Sequence, residues 1–357
     1  MKKYLALLTG IFFLGLSQAQ FYGTSAEYIK LGIQDANTLI KAYTHPANEI
    51  LLANMYESPY EAFSNGGKLK FRIGINTIYL MAPSYARVYN LNDLDLKTVE
   101  PEDPNNAYAQ TILGDSLKSV RIVSKKKDLF NRPLFSFDSP RGTGYGGVVL
   151  PYIHVSVLAG KNTNFHAGII PLVKVPTTDL NVFMFKAGIQ QNLLKWFSVL
   201  DKNRFDWTLN AVYGYFHGYE KLNIHPSGIT VSGSLSGSHN GPYDNQRLLL
   251  NFQAFSLSTH IAYHITTKIN VFGGLGFGGG IAGIDLKGRY PVYESDPSGT
   301  FSVNATDIDD PLFIRDPSFQ AFGEAGLSFN WKRFYLQLQG NMGKYYGGSV
   351  ALSFQFL

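Results

Sequence analysis

The sequence predicts an all-β chain that folds as a transmembrane, antiparallel up-and-down β-barrel, preceded by a helical plug segment. Three observations predict it. The chain opens on MKKYLALLTGIFFLGLSQAQ, where Lys2 and Lys3 precede an apolar run and small residues stand at Ser17 and Ala19. That is the pattern of a secretory signal cleaved after Ala19. No later run of about 18 apolar residues follows, so no bilayer-spanning helix is expected. Aromatic residues make up 14% of the chain and charged residues only 16%, below the roughly 25% charged of soluble domains. Segments of about ten residues then alternate apolar and polar side chains, as a wall between lipid and lumen requires.

The expected organisation is a signal over residues 1–19, a plug or hatch over 20–67 and a barrel over 68–357. In the plug, Ile29, Ile33, Ala36, Leu39 and Ile40 recur at helical spacing. Pro46 is expected to break this helix and ANEILLANMYE to resume it. An amphipathic helix pair of this kind fits under the barrel or inside its lumen.

The first strand reads KLKFRIGINTIYL, with Leu69, Phe71, Ile73, Ile75 and Tyr79 opposite Lys70, Arg72 and Asn76. DWTLNAVYGYFHG sets Trp207, Leu209, Ala211, Tyr213 and Tyr215 against Asp206, Thr208, Asn210 and Gly214. In INVFGGLGFGGGIAGIDL, Gly274, Gly276, Gly278 and Gly280 share the face opposite Val271, Leu275, Phe277 and Ile281. Glycine in a strand often marks the close approach of another backbone, so these four are candidate contacts for the plug, as is Pro46 on its other side. SFQAFGEAGLSFNW and RFYLQLQGN alternate likewise, and the final strand places Val350, Leu352, Phe354 and Phe356 on one face. A soluble sheet ending on such a strand would leave an exposed apolar edge. In a barrel it pairs with the first strand. A soluble sandwich would bury a similar face, but Trp207, Trp331 and Tyr79 at strand ends suit an interfacial girdle.

Short links at 160–163, 266–269 and 331–333 alternate with long ones at 84–145, 219–245 and 286–316, the asymmetry of periplasmic turns and extracellular loops. Counted from residue 68, the last strand returns to the periplasm, where the processed N-terminus is also expected. Both ends on one side require an even number of strands. About twelve are expected, with 10 or 14 as the alternatives and the extra strands drawn from 84–145.

Two strands are irregular. In LLLNFQAFSLSTHIAYHI the apolar set moves from Leu248, Leu250 and Phe252 to Phe255, Leu257, Ile261 and Tyr263. A one-residue slip of this kind reads as a β-bulge near Ala254. Pro151 in VVLPYIHV removes a ladder hydrogen bond. Both are candidate strand breaks, with ordinary barrel curvature as the alternative.

The helix with AYTHPANEILLANMYES, the strand VLPYIHVSVLAGKNTNFHAGIIPLV, the segment FKAGIQQNLLKWFSVLDKNRFDWTLNAVYGY and the closing hairpin carry a resemblance. Their layout resembles a family of Bacteroidota outer-membrane β-barrels catalogued as a domain of unknown function. It is more distantly similar to the FadL-type transporters of hydrophobic compounds. Those carry an N-terminal hatch with Asn-Pro-Ala, where this sequence has His45-Pro46-Ala47. The resemblance implies a hatch and an inward strand kink opening a side exit for apolar cargo. Because a FadL-like barrel also serves secretion in Bacteroidota, it implies an accessory role as the alternative.

Ionisable groups on the inward face are candidates for the substrate path: Lys70, Arg72, His154, His166, Lys186 and Glu324. A wet or plug-bonded lumen wall gives the same residues a purely structural role. YIHVS places His154 two residues from Ser156 on one face, as in outer-membrane lipid hydrolases. No third group to orient the imidazole and no oxyanion donors accompany the pair, so no catalytic residues and no enzyme are expected. Ser258 and His260 fail on the same ground. GFGGG lacks the Lys-Ser/Thr and the helix of a phosphate loop, no residues show metal-ligand spacing, and no cofactor is expected. Without cysteine there is neither a lipoprotein anchor nor a disulfide. Removing Lys2 and Lys3 lowers the formal charge from +5 to +3, so nucleic acid is not a partner.

The expected function is passive transport of small hydrophobic molecules through a plugged barrel in the bacterial outer membrane. The alternative is a barrel that docks a secretion component or another outer-membrane protein, and a lipid hydrolase ranks last. The partners expected are outer-membrane lipid and either a small hydrophobic ligand or such a component.

Overall fold

Alternation of period two becomes a wall of long strands. The structure, a computed structural model, describes residues 28, 33–61, 70–159, 162–175, 179–194, 204–226, 234–295 and 302–356. The expected signal and its cleavage point lie outside these residues. Strands β1 (Lys70–Met81), β2 (Gly147–Ala159), β3 (Thr163–Lys174), β4 (Asn181–Asn192) and β5 (Phe205–Lys221) make one side of the wall. Strands β6 (Arg247–His264), β7 (Ile269–Lys287), β8 (Leu312–Trp331), β9 (Phe334–Gly343) and β10 (Tyr346–Gln355) complete it. Each pairs antiparallel with its sequence neighbour, and β10 returns to β1 to close the barrel. That closing ladder runs from Arg72 opposite Gln355 to Met81 opposite Tyr346. The Phe356 N–H extends it, donating to the Phe71 carbonyl at 2.9 Å. The terminal strand therefore leaves no free edge.

Ile75, Phe185, Ile189, Leu257, Phe277 and Leu352 face outward, while Asn76, Lys186, Gln190, Ser258 and Ser353 are buried on the lumen side. This is the apolar-out, polar-in division of a membrane barrel. The Trp207 Nε1–H donates to Thr259 Oγ1 at 2.9 Å on the outer surface near the short-turn end.

Ten strands, rather than twelve, form the barrel. The strands between β1 and β2 are three or four residues long and make two small sheets of their own. At that length they cannot cross a bilayer, which takes about 9–11 residues per strand. They form instead a cap at the long-loop end. A third small sheet, Ser234–Gly237, Arg289–Ser295 and Ser302–Asp309, joins the two other long loops.

The plug is one helix, α1 (Ile33–Tyr56), which continues through Pro46. The expected break does not occur. Pro46 is buried and can return no N–H to the Ala42 carbonyl. Ala42 lines a cavity, where solvent or a ligand can take the place of that bond. Contacts flank the proline on both sides: the Ile112 N–H donates to the Tyr43 carbonyl, and Ser318 Oγ to Glu49.

The head of α1 is held by the cap. The buried Asp35 carboxylate accepts from the Lys97, Thr98 and Val99 N–H groups at 2.8, 2.7 and 3.2 Å and from Thr98 Oγ1 at 2.6 Å. Asp35→Ala is expected to remove this shared acceptor and to loosen the cap by about 2 kcal/mol. Limited trypsin digestion would then cut after Lys97 faster than in the wild type. An unchanged rate would show that Asp35 does not hold the cap.

The expected β-bulge near Ala254 is absent. β6 pairs in unbroken register with β5 and β7, Ala254 lying opposite Gly214 and Gly280. The inward set is continuous: Leu248, Leu250, Phe252, Ala254, Ser256, Ser258 and His260 are all buried. What changes along the strand is its partner. Toward the loop end the inner wall meets apolar α1, and below Ala254 it meets polar groups. The shift of hydrophobic phase records the contents of the lumen rather than an extra residue.

Candidate functional site

A ten-stranded barrel is only slightly wider than the eight-stranded kind whose lumen side chains fill, and a helix with its side chains is about 10–12 Å across. α1 therefore fits only where the wall recedes. A Cβ added at Gly278 would lie 2.5 Å from the Tyr56 ring, and one at Gly280 would lie 2.9 Å from Leu52 Cδ2. Gly214, two strands away on β5, makes room for the Met55 carbonyl. Gly274 and Gly276 lie nearest to other wall residues instead. They accommodate His260, and Ser258 with Phe322, on adjacent strands. Two of the four expected glycine contacts are thus with α1.

Below α1 the chain runs on as Glu57-Ser58-Pro59-Tyr60-Glu61, all buried. Inward-facing polar residues of the wall take up its groups one after another. Glu61 pairs with Arg72, accepts from Ser156 Oγ at 3.0 Å and lies 3.3 Å from His154 Nε2. Gln190 binds the Glu61 backbone from both sides, accepting from its N–H at 3.3 Å and donating to its carbonyl at 3.2 Å. His154 and Ser156 thus both address a carboxylate. His166 bridges Ser58 Oγ, at 3.1 Å, and Asn210 Oδ1, at 3.0 Å. Lys186 donates to the Glu57 carbonyl and stands 3.8 Å over the Tyr152 ring. The Glu57 carboxylate accepts from Asn341 Nδ2 at 2.5 Å, and Tyr60 donates to Asp206 at 3.2 Å. Glu324 meets His260 Nε2 at 2.5 Å. Lys70 is half-buried at the short-turn end of β1. Six residues chosen by alternation are thus all on the lumen side, and five of them are bound into a packed network.

The open space lies higher. Between α1, the cap and the β9–β10 link is a cavity of about 530 Å³. Its walls include Ala42, Pro46, Tyr85, Val88, Tyr89 and Leu94, with Lys41, His45 and Lys344 among them. The basic groups are tied to acids behind the wall. Glu49 accepts from Lys344 Nζ at 2.6 Å and Tyr345 Oη at 2.5 Å, and His45 Nδ1 lies 2.8 Å from Asp316 Oδ2. The remaining lining is mostly apolar, and the volume is in the size range of small-molecule sites.

Among the described residues the ladder is open above the β9–β10 link, where residues 312–321 of β8 pair with β7 alone, and between β2 and β3. β2 and β3 pair only from Ile153 opposite Ile169 down to Ala159 opposite Thr163. Above that, β2 pairs with β1 alone, as far as Gly147 opposite Met81. β3 pairs there with β4 alone, across a register shift between Ile170 and Val173. Each facing edge carries a proline, Pro151 or Pro171, which has no N–H to contribute. Buried Leu150 and Ile170 border the seam. Pro151 therefore lies at a real interruption, whereas Ala254 lies in a regular ladder.

The profile of a family of unknown function, DUF6588, matches residues 1–356. The chain belongs to DUF6588. Among solved structures, this DUF6588 chain is similar to the outer-membrane protease OmpT of Escherichia coli, at 7% identity and a TM-score of 0.30, over 84% of this chain and 100% of that one. It is also similar to the attachment invasion locus protein Ail of Yersinia pestis, at 10% identity and a TM-score of 0.28, over 81% and 99%. A third similarity is to the TodX monoaromatic hydrocarbon channel, at 7% and 0.26, over 82% and 68%. At these identities and scores the likenesses carry no argument about activity. No curated protein matches the sequence.

Sequence reasoning missed Asp35, Glu49, Glu57, Glu61 and Asp316. A signal was available for two of them. In ESPYE two carboxylates follow an apolar helix, in a chain whose lumen face offers Arg72 and Lys186. Charge complementarity within a closed space could have paired them.

Proposed function

We propose that this DUF6588 barrel is exported by a cleaved signal to the bacterial outer membrane and passes small hydrophobic molecules without catalysing a reaction. The observation that carries this reading is the apolar cavity at the mouth of a lumen whose described residues below α1 are buried against one another. A molecule taken up there meets polar packing straight below, so an apolar one is best served by a sideways route. The β2–β3 seam, in the loop-end half of the wall, is one place where such a route costs no ladder bonds. The distant similarity of the layout to FadL-type transporters supports the same reading.

The test is native mass spectrometry of the protein extracted from its own membrane in mild detergent. The wild type should carry an apolar adduct, and Ala42→Trp, which fills the cavity from the exposed side of α1, should lose it. A wild type free of any adduct would overturn the transport reading. A second reading, docking of another outer-membrane or secretion component, is favoured by the cap tip. There Leu129 and Phe130 are each 77% exposed. Their turn is fixed by Asp128, whose Oδ1 accepts from the Phe130 and Arg132 N–H groups, each at 2.9 Å. A stoichiometric protein complex without an adduct in the same spectrum would select that reading.

A further inference from the structure

We infer that the plug is a strap threaded through the barrel from the outer side, with its head displayed at the cell surface and its tail fixed at the periplasmic end. A processed N-terminus on the periplasmic side was the simple expectation. The contacts of α1 give the opposite direction. Tyr28 packs edge-on against Phe137 of the cap, their ring centroids 5.7 Å apart. Asp35 is gripped by residues 97–99, and Tyr43 Oη donates to the Arg141 carbonyl at 2.9 Å. All of these partners belong to the long link between β1 and β2, which in membrane barrels faces outward.

Farther along, Glu49 meets Lys344 and Tyr345 at the β9–β10 link, and Tyr56 lies against Gly278 in the middle of β7. Glu61 then pairs with Arg72, two residues into β1 and near the short-turn end. The contacts of Tyr28, of α1 and of residues 57–61 descend in that order. β1 then climbs back toward the cap. This direction makes α1 and the tail below it, residues 57–61, a tie between the two ends of the barrel and not a cork seated from below. Drawing it into the periplasm would have to break the Asp35 grip and pull the helix past the wall that fits Tyr56 and Leu52 at Gly278 and Gly280. Movement of cargo beside a fixed α1 is consistent with that, but the inference itself rests only on the outward orientation of the long loops.

The chain has no cysteine, so single-cysteine labelling needs no background removal. Gln34, exposed on the first turn of α1, is the reporting position. Leu117, 81% exposed in the cap, and Lys268, exposed in the β6–β7 turn, mark the two ends of the barrel. Intact cells carrying Gln34→Cys, Leu117→Cys or Lys268→Cys would be treated with a membrane-impermeant maleimide, before and after opening of the outer membrane. Gln34→Cys and Leu117→Cys should label fully on intact cells with no gain on opening, and Lys268→Cys only after opening. Labelling of Gln34→Cys only after opening, or in neither condition, while Leu117→Cys labels on intact cells, would overturn the strap. Labelling of Lys268→Cys on intact cells would overturn the orientation on which it rests. Lys41→Cys, farther down the exposed side of α1, repeats the test if Gln34→Cys does not assemble.

Discussion

Glu61→Ala is expected to destabilise the folded barrel by about 3–5 kcal/mol, the usual loss when one member of a buried ion pair is removed. The carboxylate is buried beneath α1 and is the shared partner of Arg72, His154 and Ser156. Its loss would strand the charge of the Arg72 guanidinium, left with the neutral Gln355 Oε1 at 3.3 Å and the Tyr335 ring at 4.5 Å. The folded band in unboiled gel electrophoresis should then convert to the unfolded band at a lower temperature. The double variant Glu61→Leu with Arg72→Met should recover most of the loss, because replacing a buried pair with apolar groups of similar volume is often neutral. A Glu61→Ala barrel as heat-resistant as the wild type would show that the pair is solvated and does not anchor the strap.

Gly278→Leu is expected to open the lumen. No rotamer of leucine clears a Tyr56 ring that already lies 2.5 Å from the position of a Cβ, and the strand cannot retreat because both of its neighbours are paired along its length. Overpacking of this kind costs about 1–3 kcal/mol, and the part able to yield is the foot of α1. In planar bilayers the variant should conduct ions where the wild type does not. A chain lacking residues 21–57 would set the fully open value. A silent Gly278→Leu beside a conducting deletion would mean that Tyr56 swings aside without releasing the helix. A silent deletion would mean that the lumen is closed by something other than α1.

Much of the architecture is legible in the chain itself because a barrel wall is a local pattern. Each residue of β1 or β10 faces lipid or lumen according to the parity of its position, so alternation sorts Ile75 from Asn76 and Leu352 from Ser353. It places Lys186 and Glu324 inward for the same reason. Parity is silent about what an inward residue meets. Arg72 and Glu61 are close in sequence, yet nothing in the pattern says that the tail of the plug and the start of β1 meet. The shift of apolar phase at Ala254 is a different kind of failure. A bulge and a change of lumen contents leave the same mark on a single strand, and only the unbroken register with β5 and β7 separates them.

The class of the protein is written in local pattern: a barrel wall, a closing terminal strand, unequal links at the two ends and an amphipathic N-terminal helix. Each follows from the period of the strand or the helix and from the chemistry of lipid and water on its two sides. Tertiary packing decided that ten strands suffice, that α1 runs unbroken through Pro46, and that the plug descends from the cap through α1 to Glu61 near the short-turn end. It also decided which glycines face the plug and where β2 parts from β3. These depend on contacts between residues tens to hundreds of positions apart, whose formation is set by how the closed wall and its contents fill one shared volume, a constraint that no local window of sequence contains.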